Sequence, residues 1–430
     1  MSQAQTQYND NKLQKVYKEF YDESGRVREM EYDIDPFLTM IGRGSMKDYE
    51  YIVSGKYVVV PLRNGGRLGS QSKTFSDAQA DSQEDDAAPD YEAWHVKLDK
   101  ETVVGSVDIQ TMHAARDKRG SFVKPLLEST NRSIDTLKLK RSAQIYRDGT
   151  GQIGKVGAKS GATITLMNKW DAPLFYRGAR IEIRDAAALG TLHQTARVIG
   201  VNRKSGVLTL NANVAAAVAA TDVLYYKGDY GKLTVTGLSG WIRNSAQDGG
   251  SFMNIDRTVD DARLAGVKIP VTGGDLRDAL IECQSEMAVQ TGMHPKLDCF
   301  IMHPFMVRNL AKEMKTTLQL VRRTQSDSKI GDVSYNSYEV NFFNEKSVEV
   351  VQSLFVDANT IYAVDKSTWQ RFQYTDEMIT FDSGDGLPFL RKATDDGIEV
   401  RGYSFMGIAC PTPGKNAIIT VGSGSSAHVD

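Results

Sequence analysis

Histidines, cysteines and clustered carboxylates are the residues that could carry chemistry in this chain, and their spacing offers little of it. Six histidines stand at His95, His113, His193, His294, His303 and His428. None belongs to a His-Glu-x-x-His pair, so no helical zinc site is written in the sequence. His294 and His303 each precede a proline and could meet in space. Each reads better as a residue at the end of an element, bonded to backbone. Cys283, Cys299 and Cys410 are an odd, widely separated set, which predicts buried reduced thiols rather than a disulfide framework. Cys299 lies inside the apolar run Leu297-Asp298-Cys299-Phe300-Ile301-Met302 and reads as a small core residue. Asp382, Asp385, Asp395 and Asp396 offer oxygen ligands, but their spacing does not fit a helix–loop–helix calcium site. Gly42-Arg43-Gly44 resembles a phosphate loop only superficially, since no strand pattern precedes it and no Lys-Ser or Lys-Thr follows. Cys-x-x-Cys, Gly-x-x-x-x-Gly-Lys-[Ser/Thr] and Gly-x-Ser-x-Gly are all missing. Catalytic triads disperse in sequence and leave no such trace. The expectation is nevertheless a protein that is not an enzyme, with no catalytic residues, no cofactor and no metal.

A different chemistry, charge pairing with another surface, is offered by one loop. Arg63, Arg67 and Lys73 stand on its ascending side, and Asp81, Glu84, Asp85, Asp86 and Asp90 on its descending side. That separation of sign predicts intersubunit contacts at Arg63, Arg67, Lys73, Glu84, Asp85 and Asp86. Solubility and protection of a strand edge would explain the same charges. The arms around the loop read as strands: Tyr51-Ile52-Val53 through Tyr57-Val58-Val59-Val60 ascending, then Trp94-His95-Val96-Lys97-Leu98, Val103-Val104 and Val107-Asp108-Ile109 descending. Residues 49–109 are therefore predicted to form an extended two-stranded ribbon with a structureless polar tip of about thirty residues. Compact domains seldom carry such an insert without a use for it. A lone ribbon is marginal in water, so another molecule is expected to support it.

The remaining elements follow from periodicity. Leu13, Val16, Tyr17, Phe20 and Tyr21 predict a helix over residues 10–30, either an arm that docks on a neighbour or a helix packed on its own domain, closed at Asp35-Pro36. Residues 121–147 predict a long helix with Pro125 in its first turn, Leu126, Leu127, Ile134, Leu137 and Ile145 near one side, and a solvated basic cluster of Lys138, Lys140, Arg141 and Arg147. At the helical rise it would be about 40 Å long. From Gly151 to Asp229 the chain alternates short β runs with Gly, Asn and Asp turns, the pattern of a small antiparallel barrel or sandwich inserted between two exposed turns. Beyond it, residues 275–290 predict a helix capped by Asp275 and stopped by Gly292, and Pro304 opens another. Strands are expected near 297–302, 338–342, 347–351, 360–364, 370–372, 398–403 and 417–421. Helices and strands sharing one core make the fold class α+β.

Composition bounds the partners. The 430 residues carry a net charge of −2, so no global basic field announces nucleic-acid binding. No apolar run nears the roughly 20 residues that cross a bilayer. The polar start, Met1-Ser2-Gln3-Ala4-Gln5, is not expected to act as a secretory signal.

The order of these parts resembles the major capsid protein of tailed double-stranded-DNA bacteriophages, whose fold is shared with the herpesvirus capsid floor and with encapsulins. The residues that carry the likeness are the ribbon at 49–109, the helix at about 117–147, and Lys296-Leu297-Asp298-Cys299-Phe300-Ile301-Met302-His303-Pro304. Thr163-Ile164-Thr165-Leu166, Phe175-Tyr176-Arg177-Gly178-Ala179, Gly206-Val207-Leu208-Thr209-Leu210 and Asp222-Val223-Leu224-Tyr225 are similar to β-insertions in some of those proteins. The resemblance implies an N-terminal arm (1–48), an extended β-hairpin loop (49–109), a spine helix opening the peripheral domain (110–149), an inserted β-barrel or sandwich (150–229), a return to the peripheral domain (230–264), an axial domain (265–385) and closing strands (386–430). It further implies hexamers and pentamers of the chain forming an icosahedral shell around packaged DNA, assembled in the host cytoplasm and located in the virion. The partners it implies are copies of the chain itself, a separate scaffolding protein, a portal, decoration proteins and DNA held non-specifically, with no membrane. An encapsulin-like compartment, and a carbohydrate-binding or enzymatic protein using the β-domain, remain as other readings.

Overall fold

In a computed structural model of the chain, the residues described are 35–43, 57–64, 74–81, 90–108, 123–242, 251–273, 275–292, 296–314, 322–323, 337–341, 347–373, 390–392 and 396–422. The helix expected at 10–30 lies outside them. The chain divides into two units, one holding 99–142 and 374–405, the other 35–98, 143–373 and 406–430.

In the first unit the helix Val123–Gln144 supplies one wall. The strand Asp99–Asp108 pairs with Gly397–Ala409, which also pairs with Leu390–Arg391. Val103 and Val107 alternate inward along the first strand, and Val103 packs with Leu137 and Ile134 of the helix. Here the ribbon reading is corrected. The descending arm does not run on from Leu98 through Val107 as one ribbon strand, because the residues after Leu98 join a different sheet.

The basic cluster is corrected too. Arg141 is fully buried and donates to Asp99 at 2.5 Å and to the Ser404 carbonyl at 2.9 Å. Lys140 pairs with Glu101 at 2.7 Å, and Arg147, in the other unit, pairs with Asp171 at 2.5 Å. The spacing of these cations matched a solvated face, but their partners come from distant strands that local periodicity does not report. Burial outweighs Arg141 and holds the Asp99 carboxyl up at about 6. A carboxyl raised in the folded state binds more protons there than when unfolded, so its charging lowers stability as pH rises from about 4 to about 6. Relative to Asp99→Asn, the unfolding free energy of the native chain is expected to fall by roughly 1–3 kcal/mol across that window. Urea titrations at pH 4, 5 and 6 read it, and a constant difference between the two proteins would refute it.

The second unit carries a closed six-stranded barrel and a seven-stranded sheet. The barrel runs in the order Gln152–Ser160, Thr163–Leu166, Val207–Leu210, Leu192–Asn202, Arg180–Arg184 and Val223–Tyr226, which closes on the first. Val156, Ile164, Ile181, Ile183, Val198, Leu208 and Leu224 alternate into its interior, and Phe175, following a short helix at Lys169–Leu174, fills it. Four register shifts, at Val156/Ala158, Ile183/Arg184, Val198/Gly200 and Leu224/Tyr225, supply the bends that closure needs. The chain leaves and returns at one place: Thr234 donates to the Gly149 carbonyl at 2.6 Å, and the Gly237 amide to that of Arg147 at 2.8 Å.

The sheet runs Val267–Val271, Ala417–Val421, Thr360–Val364, Cys299–Met302, Ser347–Gln352, Ser337–Asn341, Arg322–Arg323. Cys299–Met302 is central and buried throughout, as a strand covered on both faces must be. Helices Leu276–Thr291 and Pro304–Met314 pack on it through Leu280, Cys283, Met287, Met306 and Leu310. Gly292 ends the first helix in the left-handed region at φ 64°. Asp275 occupies the capping position but makes no cap bond; Glu313 of the second helix accepts from the Leu276 amide at 3.1 Å instead. Asp35-Pro36, expected to close a helix, opens one: Asp35 accepts from the Phe37 amide at 2.9 Å, from the Tyr146 hydroxyl at 2.5 Å and from the Ser353 hydroxyl.

Candidate functional site

The ribbon is an antiparallel ladder of eight pairs, from Tyr57↔Lys97 to Asn64↔Asp90, and it is a two-stranded sheet of its own. Period-two alternation sends Val58, Val60, Trp94 and Val96 to one face, where all four are buried. The opposite face is open, with Pro61 exposed and Val59 and His95 half-buried. Pro61 removes a donor from its strand, which discourages a third strand from joining.

An aromatic box holds the base of the ribbon. Trp94 meets Trp241 edge-on at 5.3 Å and Phe252 at 6.1 Å, and Trp241 meets Phe252 at 5.3 Å. Each indole is satisfied, Trp94 donating to the Pro411 carbonyl at 3.2 Å and Trp241 to that of Ile408 at 3.0 Å. The buried Arg257 guanidinium stacks 3.4 Å from the Phe252 ring centroid, 5.9 Å from that of Trp94, and donates to the Gly240 carbonyl. Between Phe252 and Ile255, Met253 and Asn254 both take positive φ, 47° and 77°. This is a two-residue turn of the primed kind that fits a twisted hairpin. The Met253 carbonyl then accepts from the His95 amide at 2.9 Å, tying the turn to the ribbon. Where the ribbon leaves, a Cβ at Gly407 would stand 2.7 Å from the Leu98 side chain and 3.2 Å from the Lys97 carbonyl oxygen, so the two strands pass closely there.

The expectation that another molecule must support the ribbon is thus corrected for its base, which its own subunit holds. Trp94, Trp241, Phe252 and Arg257 were missed because they are distant in sequence and carry no motif. The tip was read as structureless, yet Phe75–Asp81 is helical, with Thr74 and Asp77 hydrogen-bonded at its start. Phe75 is 85% exposed there. Of the expected contact residues, Arg63 lies on the ribbon opposite Tyr91. Arg67, Lys73, Glu84, Asp85 and Asp86 lie outside the described residues.

Of the residues that could do chemistry, His303 and the three cysteines are buried, His95 and His193 are half-buried and Asp396 is exposed, while His113, His294, His428, Asp382, Asp385 and Asp395 lie outside the described residues. His303 is buried between Trp170 and Phe305, at 4.9 and 5.7 Å, and burial brings its imidazole down to about 4. Burial pushes the thiols of Cys283, Cys299 and Cys410 up to about 12, which leaves them protonated and weakly nucleophilic. Among the described residues no cluster of three His, Cys, Asp or Glu could hold a metal ion, and no helix is long and apolar enough to cross a membrane.

No protein-family model matches the chain, and no curated protein matches its sequence. Solved structures do. The capsid of cyanophage A-1(L) is 11% identical, over 94% of this chain and 97% of that one, with a TM-score of 0.48. The capsid of a native GTA particle is 8% identical over 94% and 95%, with a TM-score of 0.46. The SrpI encapsulin of Synechococcus elongatus is 9% identical over 92% and 91%, with a TM-score of 0.41. This chain's fold resembles theirs. It is α+β, with the long helix, the separate ribbon, the mixed sheet and the inserted barrel within one chain.

Proposed function

We propose that the chain is a structural shell subunit, the major capsid protein of a tailed bacteriophage, which assembles with copies of itself into hexamers and pentamers around packaged double-stranded DNA. The ribbon carries this reading. It is an eight-pair ladder fixed at its base to its own core, with no third strand in its sheet among the described residues and a large apolar ring exposed on its tip helix. A single exposed ring is ordinary on a protein surface; this one gains its meaning from the separate ribbon that carries it. The tip of one copy lies over its neighbour, and repetition of one head-to-tail contact closes a ring. The buried thiols and the low imidazole support a structural rather than a catalytic role. A scaffolding protein, a portal and decoration proteins are the further partners of this reading, and the virion is its place.

An encapsulin-like compartment remains the second reading, because an encapsulin stands beside phage capsids among the similar structures. Negative-stain microscopy of the purified chain tests the shared part: closed particles hundreds of ångströms across are expected, and a stable monomer at high concentration would refute it. Cargo separates the two readings, nuclease-protected DNA for the first and protein for the second.

A further inference from the structure

The barrel segment 150–229 is charged with one sign. It holds ten Lys and Arg against five Asp and Glu, a formal balance of +5 in a chain whose total is −2. None of the five acids is exposed, and four of them have partners within the unit: Asp171 pairs with Arg147, Glu182 with Arg184, and Asp185 and Asp222 both approach the His193 ring. Seven of the ten basic residues are exposed.

Three cations form a row across adjacent strands. Arg180 lies directly opposite Arg197, and the Lys227 amide donates to the Arg180 carbonyl at 2.9 Å, which extends the ladder to a third strand. Arg180 and Lys227 are exposed and Arg197 is half-buried. Among the described residues none of the three has an ion-pair partner. Neighbouring strands are about 4.8 Å apart, and like charges set directly opposite destabilise a sheet. A barrel surface that keeps this arrangement, with none of its acids fully exposed, suits a polyanionic partner.

Resting on the shell reading, we infer that the row Arg180, Arg197 and Lys227 receives the acidic ribbon segment 81–90 of a second copy of this chain. That segment contains Asp81, Glu84, Asp85, Asp86 and Asp90 and no basic residue, a charge of −5 that matches the barrel's +5. Nucleic acid is the other polyanion such a basic face suits, and charge exchange separates the two. In a closed ring the neighbour's ribbon is also held at high effective concentration, so a contact of modest strength is enough. Charge pairing of this kind acts mostly on encounter and register, so it shows in assembly rate and in salt dependence.

Charge exchange in the full chain tests it. Assembly is followed by light scattering and sedimentation for wild type, for R180E/R197E/K227E, for E84K/D85K/D86K and for the six-fold combination. The expected result is about a tenfold slower assembly for each triple variant and recovery to within about threefold of wild type in the combination. Thermal melting checks that the substitutions, one of them at the half-buried Arg197, leave the fold intact. If the barrel triple fails to fold, the single Lys227→Gln in 50 mM against 300 mM salt takes its place, with a slower rate expected at low salt only. Triples that assemble at the wild-type rate, or a combination no better than either triple, would overturn the pairing and leave the shell reading standing. A wild type that never forms particles overturns both. Retention of double-stranded DNA by the wild type and its loss from the barrel triple, with assembly unchanged, would assign the row to nucleic acid instead.

Discussion

Replacing residues 65–89 by Asn-Gly is expected to yield a chain that folds normally and forms no closed particles. The geometry permits the exchange. Asn64 and Asp90 face each other as the last pair of the ladder. A two-residue Asn-Gly loop closes such a pair in a primed turn that matches strand twist. The base stays fixed, because Val58, Val60, Trp94 and Val96 keep their burial and the His95 amide keeps its partner. Stability should therefore change by no more than about 0.5 kcal/mol, as for surface changes away from the core. Assembly should be lost, because the exchange removes the exposed Phe75 and four of the five acids of the segment 81–90 from every copy at once. A shell repeats one contact in each subunit, so a loss of about 1–2 kcal/mol per contact multiplies over the ring. Melting curves and electron microscopy of the same preparation decide it. Normal particles from this variant would show that the tip is dispensable.

The sequence made the two-period and 3.6-period elements legible and hid what joins them. The barrel strands at 163–166, 180–184, 207–210 and 223–226 were readable because apolar residues alternate between turn residues. The first barrel strand, Gln152–Ser160, was not singled out: Gly154, Gly157 and Lys159 interrupt its pattern. Its Gly157 lies where a Cβ would stand 3.0 Å from the Met167 backbone, a tight fit that favours glycine. The strand–helix step at 299–314 was readable from an apolar run ending at His303-Pro304. The Arg141–Asp99 pair was hidden, since 42 residues separate its members and an arginine on a helix reads first as solvated. The extended arms were read from hydrophobic alternation alone, which cannot tell whether residues 99–108 pair with the ribbon or with 397–409. Strand partner choice is a tertiary matter, settled here by Asp99 reaching Arg141 and by Val103 reaching Leu137. The aromatic box is the largest omission, because nothing local links Trp94 to Trp241 or Phe252.

That box makes the second large prediction. Trp94→Ala is expected to destabilise the chain by about 3–5 kcal/mol, the range for emptying a buried aromatic site. Trp94 is fully buried, and its removal deletes edge-on contacts with two rings and the bond to the Pro411 carbonyl. Arg257 keeps Phe252 at 3.4 Å but loses one wall of its pocket. Trp94→Phe separates the contributions. It retains a ring against Trp241 and gives up the indole N–H, so it should cost about 1–2 kcal/mol, the value of one buried hydrogen bond with its orphaned acceptor. The consequence for function follows from where the residue sits. Trp94 faces Val60 across the ladder, so it fixes the direction in which the strands leave the core. A ribbon anchored less firmly must be ordered at the moment of contact, and that ordering subtracts from the energy available to hold a neighbour. Trp94→Phe should therefore assemble more slowly than its small loss of stability suggests, measured at a temperature where both proteins are fully folded. Denaturant midpoints give the stabilities and light scattering gives the rates. A Trp94→Ala chain within 1 kcal/mol of wild type would show that the box does not hold the ribbon, and the tip would then need its support from outside the subunit.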